Sequence, residues 1–157
     1  MSYATIRAAI KSELEDVVGI TGGLGIVQTF EPHVARIEDV KTFFTGINSN
    51  LVNGWTISRE SVTTLQGSDG FRFSRTHSII VRGRFVLQTD GSTEETFQDL
   101  IELVLDKFDG NQIIWVKQPE ENSQGPQVDI QETELLGSIL VHLCEIRFEV
   151  EEFKEVT

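Results

Sequence analysis

Apolar positions recur along the chain with two different periods, and the changes between them predict the order of elements. From Tyr3 to Val18, the residues Ile6, Ile10, Leu14, Val17 and Val18 return at helical spacing while Arg7, Lys11, Glu13 and Glu15 fall elsewhere. That spacing predicts a first amphipathic helix. Gly19 and the Gly22-Gly23-Leu24-Gly25 cluster end it, because glycine tolerates the positive φ angles of a helix stop. Ile26 to Phe30 reads as a strand, Arg36 to Phe44 as a short helix with Ile37, Val40, Phe43 and Phe44 on one side, and Asn48 to Gly54 as a polar loop.

A period of two then takes over. Trp55 to Arg59 alternates, Ser61 to Gln66 is rich in β-branched Val62, Thr63 and Thr64, and Gly67-Ser68-Asp69-Gly70 is a turn cluster. Beyond it Phe71, Phe73, His77, Ile79, Val81, Phe85 and Leu87 share one parity, with Arg72, Ser74, Thr76, Ser78, Arg82 and Arg84 on the other. This predicts a long β-hairpin over about 55–88 that projects from the body. Ser92 and Glu95 are spaced as a capping box, opening a helix whose Phe97, Leu100, Ile101, Val104, Leu105 and Phe108 form the strongest periodicity in the chain. Asp109-Gly110-Asn111 stops it, Ile113 to Val116 reads as a short strand and Gln118 to Gly125 as an exposed loop. Gln127 to Thr133 alternates again. So does a C-terminal strand over about 138–150, with Leu140, His142, Cys144, Ile146, Phe148 and Val150 on one face. Its other face begins apolar at Ile139, Val141 and Leu143 and turns charged at Glu145, Arg147, Glu149 and Glu151, so the strand is expected to start central and end exposed.

These elements predict an α+β fold, a mostly antiparallel twisted sheet with a long β-hairpin packed against two main amphipathic helices. The 157 residues suit a single domain over 1–157. Charge is the least ordinary feature. The formal net charge is −12, and it is divided unevenly, with nine basic and eight acidic residues up to Arg84 and four against seventeen after it. Such a balance argues against a surface that binds DNA by neutralising phosphates, and against docking on anionic lipid. No stretch approaches the roughly 18 to 20 apolar residues of a membrane helix, and the N-terminus lacks a secretory pattern. With Cys144 as the lone cysteine, folding in a reducing cytoplasm is expected.

Candidate chemistry is sparse. The glycines before Ile26 follow a helix and precede a strand, the reverse of the order a phosphate-cradling loop needs. His33, His77 and His142 form no recognisable constellation. His142 and Cys144 point the same way at i and i+2, so a Cys-His pair is geometrically open, but packing is the better reading for both. The acids Glu145, Glu149, Glu151, Glu152 and Glu155 lack the spacing of a calcium loop. No catalytic, cofactor-binding or metal-binding residue is assigned. Arg72, Arg82 and Arg84, with Arg59 and Arg75 nearby, are the only basic cluster. It reads either as a ladder paired with carboxylates of the same protomer or as a contact between subunits with Glu145, Glu149 and Glu151 of a neighbour. Head-to-tail pairing of unlike surfaces builds rings when the rotation closes.

The start Met-Ser-Tyr-Ala-Thr-Ile-Arg, the segment Asn53 to Arg59, the strand His77 to Gly83 and the helix start Glu94 to Leu100 together resemble the tail terminator (tail completion, neck) proteins of long-tailed bacteriophages. The likeness spans most of the chain. It implies a virion structural protein without enzymatic activity or cofactor, assembled in the host cytoplasm. Such a subunit forms a hexameric ring that caps the head-proximal end of the tail tube and joins it to the head-completion or connector complex. Implied partners are other copies of itself, the tail tube protein and the connector proteins, with the tail sheath as a further candidate. DNA would pass through the lumen without specific binding, a role with which the acidic balance is compatible. The alternatives are another neck component such as a head-completion protein, a tube-like subunit, or a small acidic binding domain or enzyme using the three histidines and scattered carboxylates.

Overall fold

A computed structural model describes residues 2–20, 25–31, 43–45, 51–88, 91–111, 116–117, 125–136 and 139–155. The expected helix before Phe43, most of the short strand before Val116 and most of the loop that follows lie outside them. Ser2 caps helix α1 (Tyr3–Glu15), its hydroxyl accepting from the Thr5 N–H, which satisfies one of the donors a helix start leaves open. Ile6, Ile10 and Leu14 are fully buried. The helix ends before the predicted stripe does, and beyond its last turn Val17 is buried while Val18 faces solvent at 76% exposure.

Five strands follow among the described residues: β1 (Ile26–Gln28), β2 (Asn53–Gln66), β3 (Arg72–Val86), β4 (Gln127–Leu136) and β5 (Ile139–Glu155). They form one open sheet in the order β1-β2-β3-β5-β4. β1 runs parallel to β2 and every other pairing is antiparallel, so the predicted α+β architecture with a largely antiparallel sheet is what the chain adopts. Helix α2 (Ser92–Phe108) lies between β3 and β4 in sequence. It packs with α1 on one face of the sheet, where Phe97, Leu100, Ile101, Val104 and Phe108 meet Trp55, Ile57, Ile79, Val81, Ile146, Phe148 and Val150.

Two glycines make this packing possible. A Cβ at Gly83 would lie 2.6 Å from ring atoms of its cross-strand partner Trp55, so the indole lies flat on the strand only because that position is bare. On the other face Gly54 serves Phe44 in the same way, with a virtual Cβ 2.5 Å from the ring. A second, small apolar cluster forms there from Phe44, Val52 and Val141.

Several sequence expectations are corrected. The capping box does not form, because Gly91 at φ 79° is the N-cap and Ser92 is already helical. Asn53 and Gly54 belong to β2 and not to a loop, since Asn53 is buried and its side chain bonds the Gly19 carbonyl and the Trp55 indole. β5 continues to Glu155 and pairs with β3 as far as Arg72, so the distal hairpin is a three-stranded blade and not a two-stranded ribbon. The expected ends of the alternating faces also differ. Phe71 lies outside β3 at 69% exposure, Leu140 is 52% exposed at the start of β5, and Glu145 is buried.

Candidate functional site: an ionic ladder and an exposed strand tip

The sheet face opposite the helices carries charge where the other carries apolar side chains. Strand register places Thr56, Arg82 and Glu145 side by side, and Gly54, Arg84 and Leu143 in the next row. Arg82 donates through Nε to Glu145 at 2.8 Å and through Nη1 to Glu31 at 3.1 Å. Arg84 reaches the other Glu31 oxygen at 3.5 Å and Glu134 at 3.2 Å, and its guanidinium lies 4.8 Å over the Phe44 ring. Glu31, held also by the Thr56 hydroxyl at 2.6 Å, is therefore the joint between two rows of the sheet.

Arg147 closes the ladder. It pairs with Glu145, Glu60 and Asp129. The last two acids are the unpaired residues at register shifts, between Arg59 and Ser61 in β2 and between Val128 and Ile130 in β4. A β-bulge adds one residue and re-aims a side chain, and here each bulge delivers a carboxylate to the same guanidinium. The ladder thus runs Glu134, Arg84, Glu31, Arg82, Glu145, Arg147, then Glu60 and Asp129. Burial alone would raise the pKa of Glu31, but the Thr56 hydroxyl and the two arginines outweigh it and hold the carboxyl below its ordinary value. Burial likewise opposes the charge on Arg82, yet its bonds to Glu145 and Glu31 leave the guanidinium more firmly protonated than usual.

The remaining candidates scatter. Arg59 stacks 4.3 Å over the Tyr3 ring on the helix face and approaches His77 Nδ1 at 3.5 Å. Burial raises the Tyr3 phenol, and Arg59 and Arg7 offset part of that. Arg75 is on the same face and lines a cleft with Tyr3, His77 and Glu152. Arg72 is at the exposed tip, 3.8 Å from Asp69 and 3.7 Å from Glu155. Glu149 pairs with Lys117 at 3.7 Å, and Glu151 sits half-buried beside Thr76. Arg82, Arg84 and Glu145 therefore form the intraprotomer ladder that the sequence left as one of two readings, while the other five named residues are not gathered with them.

The groups that could do chemistry are engaged in structure. His77 is 2% exposed, bonds Glu152 at 2.9 Å and stacks on Tyr3. Burial raises the Glu152 carboxyl, but the His77 bond and nearby positive charge, Arg75 included, together outweigh it and hold the carboxyl below its ordinary value. His142 bonds the Thr93 hydroxyl at 3.0 Å and stacks on Phe97. It points toward α2, and Cys144 beside it is fully buried with its thiol pushed up to about 12, chiefly by burial. His33 lies outside the described residues. Among those residues no group of His, Cys, Asp or Glu could hold a metal ion, and no helix is long and apolar enough to cross a membrane.

Contact surface is the other feature sequence reasoning missed. At the blade tip Leu65, Phe71 and Phe153 are 64%, 69% and 63% exposed. Leu65 and Phe153 flank Ser74 in one row of the sheet and line a cleft of about 450 Å³ with Phe73, Arg72 and Lys154. Their alternation with polar neighbours was legible as strand pattern. That the tip stays exposed among the described residues depends on where the helices end. No protein-family model matches this chain, and no curated protein matches it.

Proposed function

We propose that the chain is a ring-forming virion structural subunit, a tail terminator that caps the head-proximal end of a phage tail tube and joins it to the connector complex. The observation that carries the reading is the three-stranded blade, which exposes large apolar side chains at its tip while the chain's described histidines and its cysteine are consumed in packing and hydrogen bonds. Exposed apolar patches of this kind mark protein contact. The α+β fold and the acidic balance agree with the resemblance from which the reading starts. Capping follows from geometry: a ring that occupies the terminal tube surface without presenting another copy of it stops further growth.

The test is electron microscopy and native mass spectrometry of the chain mixed with a tail tube protein from the same source. Rings seated at one end of length-limited tubes are expected. A species that neither binds nor shortens tubes overturns the reading, and long cylinders formed by the chain alone would make it a tube subunit instead.

A further inference from the structure

A second apolar surface lies at the opposite end of the same strands. Val18, Leu51 and Leu103, exposed at 76%, 50% and 42%, line a groove of about 340 Å³ floored by Phe85 and Leu100, with Asp99 on its rim. Asn53 and Phe85, both in its wall, are the pair that opens the β2–β3 ladder, whereas Gln66 and Phe73 close it at the blade tip. Thirteen residues of β2 separate the two ends, about 43 Å at strand rise. One copy therefore cannot fold its own tip into its own groove.

The two surfaces complement each other. Helix α2 sets Asp99 in the groove wall, and Glu95, Glu102 and Asp106, within one turn of the lining residues, extend the acidic side, all four exposed. The tip sets Arg72 and Lys154 next to Phe71 and Phe153, and among the described residues the carboxylates that Arg72 meets are exposed and stand at 3.7 and 3.8 Å. We propose that the blade tip of one copy docks in the groove of a second copy between α2 and the turn that follows α1, with Phe71 and Leu65 as the apolar anchors and the α2 acids facing the tip cations. The contact joins unlike surfaces, so it is heterologous and repeats from copy to copy, closing to a ring where the rotation allows. It rests on the reading of the chain as a ring subunit and names the surfaces by which the ring is built, away from the ionic ladder.

Complementation tests it without any tube protein. A tip variant, Leu65→Ser with Phe71→Ser, and a groove variant, Val18→Ser with Leu103→Ser, change exposed side chains. Circular dichroism and thermal melts of both should match the parent. In sedimentation velocity and native mass spectrometry the parent should assemble, and each variant alone should lose association by more than about tenfold, as loss of an interface anchor does. An equimolar mixture should then stop at a heterodimer near 35 kDa, twice the 17.6 kDa chain, because only one intact tip and one intact groove remain to meet. A parent that stays monomeric, variants that assemble like the parent, or a mixture that stays monomeric each overturn the proposal. Assembly through these surfaces by a chain that fails to cap tubes would keep this contact and reject the terminator function. Tube capping by rings of the two variants would do the reverse.

Discussion

Replacing Arg82 by Glu puts a third carboxylate where two already converge. In the native ladder Arg82 neutralises Glu145 at 2.8 Å and Glu31 at 3.1 Å while remaining only 26% exposed. Removing one partner of a fully buried ion pair costs about 3–5 kcal/mol. The loss is smaller here, because Glu31 keeps Thr56 and Arg84 and Glu145 keeps Arg147, so Arg82→Met should cost about 2 kcal/mol. The Glu variant adds like-charge repulsion of about 1 kcal/mol or more for each acid near 4 Å, bringing the total to about 3–5 kcal/mol. At about 2–4 °C per kcal/mol for a chain of this size, the Tm should fall by roughly 6–20 °C. Urea unfolding of the monomer, followed by tryptophan emission, to which the buried Trp55 contributes, measures this. A double-mutant cycle of Arg82→Met with Glu145→Gln should give a coupling of about 1–2 kcal/mol. A Glu variant that loses under about 0.5 kcal/mol of monomer stability yet fails to assemble would refute the argument, placing Arg82 between subunits and not within one.

Three further outcomes follow from the same contacts. Gly83→Ala forces a methyl group against the Trp55 ring at 2.6 Å and should destabilise by about 2–3 kcal/mol, as overpacking does, with a red shift in tryptophan emission; unchanged stability and emission would show that the strand yields freely. The Cys144 thiol, buried and pushed up to about 12, should resist a maleimide reagent in the native protein and react in urea, and labelling at equal rates in both states would contradict the packing described. Glu31 has a folded pKa below the ordinary carboxyl value of 4.5, so its contribution is complete above about pH 4.5 and is lost as pH falls through the folded value. Glu31→Gln should therefore lower the Tm at pH 7 and leave a shallower acid limb, whereas two parallel Tm-against-pH curves would exclude the linkage.

The amino-acid sequence alone determined the two main helices and the long antiparallel strands, and for most of their positions the face that is buried. Phe97 to Phe108 could only be a helix with one apolar stripe, and the turn cluster at 67–70 between two alternating runs could only join antiparallel strands, because both signals are local and periodic. What it left open was set by partners distant in the chain. The histidines were legible as residues without a constellation, but that His77 binds Glu152 and that His142 binds Thr93 depended on which strands became neighbours. Arg82 and Arg84 stood out as a cluster, yet their pairing with Glu31, 51 and 53 residues away, is set by where the chain goes as it leaves β1. Glu60 and Asp129 were invisible as partners of Arg147, since a single inserted residue shifts the parity of a strand without changing its composition. The two contact surfaces were hidden for the same reason. Exposure of Phe71 or Leu103 is a statement about where other segments end, and only the folded chain, by placing the tip and the groove at opposite ends of the same strands, decides that neither can be covered by the other from within one copy.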